Sequence, residues 1–292
     1  MRVTQSMLSN NLLNNLSNSY KKLSTYQNQL DTGSKINRPS DDPVVATKGM
    51  GYRTTLGKIN QFTANANEAT NWLDTTDDAL GQVGDALNRV KELVTQASTD
   101  SLTSEDRNKI SSEIKQIRLQ IQDLGNTQIG DKYLFNGTKT SQPLFDSNGN
   151  LTTNTSNASV NIEIFDGVTI DVNSASAQLF QNIDTAMSNL SDALDNPATT
   201  SDQIGAFLTT TSSLQDDVLS SRADVGARQN RLDMMSNRLS AQEIISTNQL
   251  SKNEDVEYEK VITQYMTQQS LHNAALSVGS SIIQSTLVDF MK

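Results

Sequence analysis

The chain has one histidine, His272, among its 292 residues. Histidine is the side chain best suited to moving protons near neutral pH. A general base, however, needs an orienting group or a nucleophile within reach, and His272 sits alone among helix-spaced residues. No HExxH, Walker A or GxSxG pattern is present. Gly49-Met50-Gly51, followed by Gly57, fails the dinucleotide fingerprint and has no strand before it. The absence of cysteine excludes disulfides and thiolate metal sites. Asp74, Asp77 and Asp78 could hold a hard cation, but they fall where helix caps and solvated faces are expected. Asp146-Ser147-Asn148-Gly149-Asn150 begins like a calcium loop. It lacks the glycine at the sixth position, where Leu151 stands, and the closing glutamate, so a turn is the better reading. No catalytic, cofactor-binding or metal-ligating residue is assigned, and an enzyme is not expected.

One polar cluster fits a binding role better. Lys35, Asn37, Arg38, Asp41 and Asp42 lie in the segment TGSKINRPSDDP. Gly33, Pro39 and Pro43 make this a loop, and Ser40, Asp41 and Asp42 are helix N-cap types ahead of a proline suited to a first turn. Two readings stay open: contact with a neighbouring subunit, or capping of the turn.

The elements that position this loop are helical. Residues 3–30 carry Val3, Met7, Leu8, Leu12, Leu13, Leu16, Tyr20, Leu23 and Leu30 in steps close to three and four. The opposite side is Asn, Ser and Gln, which favour local backbone bonds over helix, so this helix depends on packing. Two proline-free runs follow, 44–142 and 198–292. In the first, Ala69, Leu73, Thr76, Leu80, Val83, Leu87, Val90, Val94 and Ala97 alternate in fours and threes, the spacing of a coiled-coil seam. Thr103 with Asp106 starts another helix, through Ile110, Ile114, Ile117, Ile121 and Leu124, with Gly125 near its end.

Between about 130 and 173 the chain turns to Gly, Asn, Thr and Ser. Val160, Ile162, Ile164 and Val168, Ile170, Val172 alternate with polar residues, the period of a strand. A three-residue loop, Phe165-Asp166-Gly167, would pair Ile164 with Val168 and Ile162 with Ile170, with Gly167 left-handed. Helical spacing resumes at Leu179, Ile183, Met187, Leu190 and Leu194. It continues from Ile204 through Leu208, Leu214, Val218, Leu232, Met235 and Leu239. A terminal helix over 256–292 carries Val261, Tyr265, Leu276, Ile283, Leu287 and Phe290, with a polar gap at Gln268, Gln269 and His272.

The expected fold is therefore mainly α with a small β insertion. It is an elongated antiparallel helical bundle or coiled coil with both termini at one end. The expected divisions are a terminal helical domain (1–40 and 250–292), a helical rod (41–130 and 175–249) and a β-rich outer insertion (131–174). An apolar fraction of 35%, against roughly 45–50% for typical globular chains (a count that includes glycine), suits thin bundles. A net charge of −10 without a basic tract argues against nucleic acid. No run approaches the ~20 apolar residues of a membrane span. The first residues, MRVTQSMLSNNLL, lack the pattern of a Sec signal, which alone would suggest a cytoplasmic protein unless another export route serves it.

The order of these parts resembles bacterial flagellin and its relatives. The matching segments are 23–43 (LSTYQNQLDTGSKINRPSDDP), 223–232 (ADVGARQNRL) and the region after Glu254. Within the family, 126–145 (NTQIGDKYLFNGTKTSQPLF) and 285–291 (STLVDFM) look most like hook–filament junction members, although Phe290 and Met291 stand where tyrosine and leucine are common. The resemblance implies an axial flagellar subunit, secreted through the type III export apparatus without a cleaved signal and served by an export chaperone. It implies terminal helices that order on assembly, with copies of itself in a ring, hook-associated protein 1 and flagellin as neighbours. No cofactor, nucleic acid or membrane is implied. Assembly contacts are expected at Val3, Met7, Leu12, Leu16, Leu23 and Leu30, in the 35–42 loop, and at Val261, Tyr265, Leu276, Ile283, Leu287 and Phe290. A flagellin filament subunit, or a cytoplasmic coiled-coil adaptor, are the competing readings. Only the first accounts for the matched ends as well.

Overall fold

The computed structural model describes residues 5–99, 103–152, 156, 158–173 and 176–290, with backbone alone at 5, 6, 8 and 281–290. Its elements are α1 (Gln5–Thr32), α2 (Pro43–Ala97), α3 (Ser104–Gly125), β1 (Gln128–Ile129), β2 (Lys132–Tyr133), β3 (Asn161–Phe165), β4 (Val168–Asp171), α4 (Ala177–Asp195), α5 (Ser201–Glu254) and α6 (Tyr258–Phe290). The fold is mainly α, as expected. The strands form two antiparallel two-stranded sheets, β1–β2 and β3–β4. The chain divides into two compact units: Met1–Lys58 with Gln242–Lys292, and Ile59–Ala241.

The heptad of the Ile59–Ala241 unit is its core. All nine seam residues from Ala69 to Ala97 are buried, as are Ile110, Ile114, Ile117 and Ile121 on α3 and Leu179, Ile183, Met187, Leu190 and Leu194 on α4. Trp72 is buried beside them. Helix starts follow the cap chemistry. Thr103 accepts from the Asp106 amide at 3.2 Å and donates its hydroxyl to the Asp106 carboxylate at 2.8 Å.

Ion pairs then join the helices. Arg118 of α3 makes a two-pronged contact to Asp184 of α4, at 2.7 and 2.9 Å, and Lys115 reaches Asp195. Arg222 of α5 makes the same two-pronged contact to Asp77 of α2, at 2.8 and 3.0 Å. Asp77 is thus a helix-to-helix partner rather than part of a solvated acidic face. Asp74 accepts from Gln229, and Asp78 from Gln82.

The segment 126–145 is closed by its own first and last residues. Asn126 accepts from the Phe145 amide and donates to the Phe145 carbonyl, both at 2.9 Å, so one side-chain amide stands in for a strand neighbour. Gly125 must be glycine-sized, since a Cβ there would come within 2.9 Å of the Phe145 ring and 3.2 Å of Phe180. The Asp146 carboxylate accepts from the amides of Asn148 and Asn150, the geometry of a turn.

The β3–β4 hairpin differs in one step from the expected register. Ile162 pairs with Ile170 and Gly167 is left-handed at φ +73°, as expected. Between Glu163 and Phe165 the register shifts, so Phe165 rather than Ile164 stands opposite Val168. Ile164 becomes an extra residue on its strand and is fully buried. Phe165 packs its ring against Phe62 and under the Arg238 guanidinium. The bulge lets both large side chains find cover, which a regular ladder would place on opposite faces.

Two predictions follow from this packing. Leu87→Ala should cost about 2–5 kcal/mol of unfolding free energy, read by denaturant titration, because Leu87 is fully buried in a close-packed seam. The Arg222 guanidinium beside Asp77 holds its carboxyl below the usual carboxylate range, against the opposing effect of partial burial. A depressed folded value contributes stability above the unfolded value, near 3.9, and that contribution is lost as pH falls through the folded value. Asp77→Asn should therefore lower Tm at pH 6 and leave it less changed at pH 3. Equal losses at both pH values would be inconsistent with this pairing.

Candidate functional site

In the unit of Met1–Lys58 with Gln242–Lys292, the loop after α1 and the break between α5 and α6 are stitched together. The Lys35 amide donates to the Glu254 carbonyl at 2.6 Å, and the Val256 amide to the Gly33 carbonyl at 3.0 Å. Ser34 and Asp255 form the antiparallel bridge between these two bonds. Gly33 takes φ +69°, which a side chain would resist. The break at 255–257 starts the expected terminal helix two residues late, at Tyr258. No proline or glycine marks it; it arises because 254–256 pair outward with the loop.

The polar loop residues have local partners. Asp42 caps α2 by accepting from the amides of Val44 and Val45 at 3.0 and 3.1 Å. The Asp41 carboxylate accepts from the amides of Asn37 and Arg38. Lys35 donates its ammonium to the Lys252 carbonyl at 3.0 Å, and Asn37 meets Thr32 at 2.9 Å. Capping therefore has direct geometric support. Arg38 is different: it is exposed, and its guanidinium has no polar partner among the described residues. Glu254 is buried and pairs with Arg53. Its carboxylate lies where a Cβ on Gly49 would stand. Nothing in the sequence spacing pointed to Glu254, Arg53 or Gly49.

Helices α1 and α6 pack against each other, antiparallel. Their shared seam takes in most of the residues that the apolar spacing suggested and adds polar and small ones. On α6 the covered residues are Val261, Tyr265, Gln268, His272, Ala275 and Gly279, in steps of four and three. On α1 they include Leu12, Leu16, Ser19, Leu23, Tyr26 and Leu30. The polar gap is thus part of the contact: Gln268 donates to Ser19 Oγ at 2.8 Å, and the His272 ring lies 6.3 Å from that of Tyr20. Gln268 and His272 each touch α1. Gln269 remains exposed.

Other large apolar residues point outward. Met266, Leu271 and Leu276 on α6 are 62%, 58% and 47% exposed, and Met7, Leu13 and Tyr20 on α1 are exposed as well. Of the residues expected at assembly contacts, Leu12, Leu16, Leu23, Leu30, Val261 and Tyr265 line the internal seam, while Met7 and Leu276 lie outside it. Val3 lies outside the described residues, as do the side chains of Ile283, Leu287 and Phe290.

The family models for the bacterial flagellin N-terminal and C-terminal helical regions match residues 3–140 and 208–291. The chain belongs to the bacterial flagellin family. Some curated relatives align along nearly the whole length. Flagellar hook-associated protein 3 of Escherichia coli K12 is 25% identical over 94% of this chain and 95% of its own. Flagellin of Bacillus subtilis 168 is 28% identical over 94% of each. Among solved structures, Bacillus cereus FlgL superposes with a TM-score of 0.60 at 22% identity, covering 69% of this chain and 99% of that one. The flagellar hook-associated protein 3 of Legionella pneumophila gives 0.62 at 16%, covering 69% and 97%. The structural likenesses establish the fold.

Two glycines two residues apart, on opposite sides of α2, give a sharp test of the stitch. Gly51 has nothing within 4 Å of an added Cβ, whereas Gly49 faces the Glu254 carboxylate. Gly51→Ala should stabilise α2 by up to about 1 kcal/mol. Gly49→Ala should displace Glu254 and speed hydrogen exchange at the Lys35 and Val256 amides. Equal protection of those amides in both variants would show that Glu254 does not support the bridge.

Proposed function

We propose that this chain is a structural subunit of the bacterial flagellum that joins the hook-side junction protein to the flagellin filament. The observation that carries this is the outward apolar face of the α1–α6 pair. The pair covers Leu12, Leu16, Leu23, Leu30 and Val261 in its internal seam, together with Ser19, Gln268 and His272, and still presents Met7, Leu13, Met266, Leu271 and Leu276 outward. Exposed apolar surface of this kind is stable in water only once covered. The cover fits neighbouring subunits: copies of the chain in a ring, with hook-associated protein 1 on one side and flagellin on the other. Arg38, exposed beside the stitched loop, is the polar residue best placed to meet a neighbour.

Membership of the flagellin family supports a structural role. Among the described residues no group of three or more metal-ligating side chains comes together, and no helix is long and apolar enough to cross a membrane. Secretion through the flagellar type III apparatus, with a chaperone covering the terminal helices beforehand, fits the same surface. The near end-to-end alignment with hook-associated protein 3 favours the junction over the filament. A filament subunit is the second reading, favoured by the equally long alignment with a Bacillus flagellin.

Electron microscopy of cells lacking this chain separates the two. A junction subunit predicts intact hooks without filaments and flagellin released into the medium. Normal filaments on the hooks would refute the junction role. Absent filaments with no released flagellin would identify the filament subunit instead.

A further inference from the structure

The α1–α6 seam carries a polar contact in its middle and a tight apolar contact farther along α6. Gln268 Nε2 donates to Ser19 Oγ at 2.8 Å. Gly279 is buried against Leu12, whose Cδ2 would lie 2.8 Å from a Cβ at that position. We propose that these two contacts form a register key, which selects one alignment of α1 on α6 at the expense of the pair's strength.

The remaining seam is permissive. Leu16, Leu23, Leu30, Val261 and Ala275 are apolar residues at heptad spacing, and such a pattern packs acceptably after a slip of seven residues. The key does not. In an antiparallel pair, a one-heptad slip sets Gln268 against Leu12 or Tyr26, and Ser19 against Ala275 or Val261. Ser19 then faces an apolar side chain in either direction. Within a half-buried seam an amide or hydroxyl that loses its partner is only partly repaid by water. The same slip removes Gly279 from Leu12, so the leucine meets a full side chain, His272 or Thr286, where it had a space. Polar residues at coiled-coil core positions specify alignment at a cost in stability, and Ser19 and Gln268 have the placement for it.

Alignment matters here because it decides which residues face outward. A slipped pair would carry Leu276 and Met266 past different positions of α1, and the outward apolar surface would lose its single arrangement. The inference concerns pairing inside one chain. It stands apart from the flagellar role, so the two can fail separately.

The lack of cysteine permits a clean test in the full-length chain. Tyr20→Cys with His272→Cys reports the observed register and leaves Leu12 and Gly279 in place. Leu13→Cys with His272→Cys, and Gln27→Cys with His272→Cys, report slips of one heptad in the two directions. Intrachain disulfide yield is measured by mass spectrometry under mild oxidation. With Ser19 and Gln268 intact, the in-register pair should exceed either slipped pair at least tenfold, which corresponds to about 1.4 kcal/mol. In the Ser19→Leu/Gln268→Leu background the excess should fall below threefold, while the melting temperature stays level or rises. A merely structural contact would instead lower the melting temperature and keep the register. Retention of the tenfold excess in the leucine background overturns the key, as does the absence of an in-register disulfide in the chain with Ser19 and Gln268 intact.

Discussion

Two backbone hydrogen bonds, Lys35 to Glu254 and Val256 to Gly33, govern how both ends of this chain are presented. They are the smallest possible antiparallel ladder. They nevertheless decide where α1 stops, where α5 stops and where α6 begins. Each flanking feature makes the bridge tolerable: Gly33 supplies the left-handed turn, Asp42 caps the outgoing helix, and Glu254 is held against Gly49 by Arg53. Without the bridge the chain from α5 would have no reason to break, since no helix-breaking residue lies between Glu254 and Tyr258. A tertiary contact here overrides local propensity, which favours continuing the helix.

The other unit rests on a different balance. Its seam is apolar and its helix-to-helix ion pairs are partly exposed, so burial supplies most of the free energy and the charges supply specificity. Arg222–Asp77 and Arg118–Asp184 are both two-pronged, a geometry that fixes the axial position of one helix against another. Heptads alone would leave that position open. The two units therefore face the same problem, the axial freedom of repetitive helices. The larger unit meets it with salt bridges, and the terminal pair with an uncharged hydrogen bond and a glycine.

Much of this was legible in the sequence, for a physical reason. Where a helix buries one stripe in a deep core, hydrophobic period and burial coincide, and every heptad residue from Ala69 to Ala97 is buried as its spacing implies. Caps were legible too, because Thr103 and Asp42 act on amides two or three residues away. Legibility failed where covering depends on distant partners. The apolar spacing of α6 named Leu276 as a seam residue and left Gln268 and His272 as a gap, and the contacts are the reverse. The rule that apolar residues face inward presumes that the inside belongs to the same chain. The bulge at Ile164 failed differently: the alternation was right, but one strand had two large side chains to place near its turn.

That failure is itself informative. In α1 and α6, spacing and contact part company over residues 266–279, where Met266, Leu271 and Leu276 face outward while Gln268, His272 and Gly279 line the seam, which is hard to reconcile with a helix pair built to stand in water alone. A hairpin optimised for its own stability would put Leu271, Leu276 and Met266 on the seam and Gln268, Ser19 and Gly279 outside. The observed arrangement gives part of the internal contact to polar and small residues and leaves large apolar side chains for an external one. A subunit whose ends are meant to meet other subunits needs that ordering of strengths. If the internal seam were the stronger, pairing within the chain would cover the surface that assembly requires.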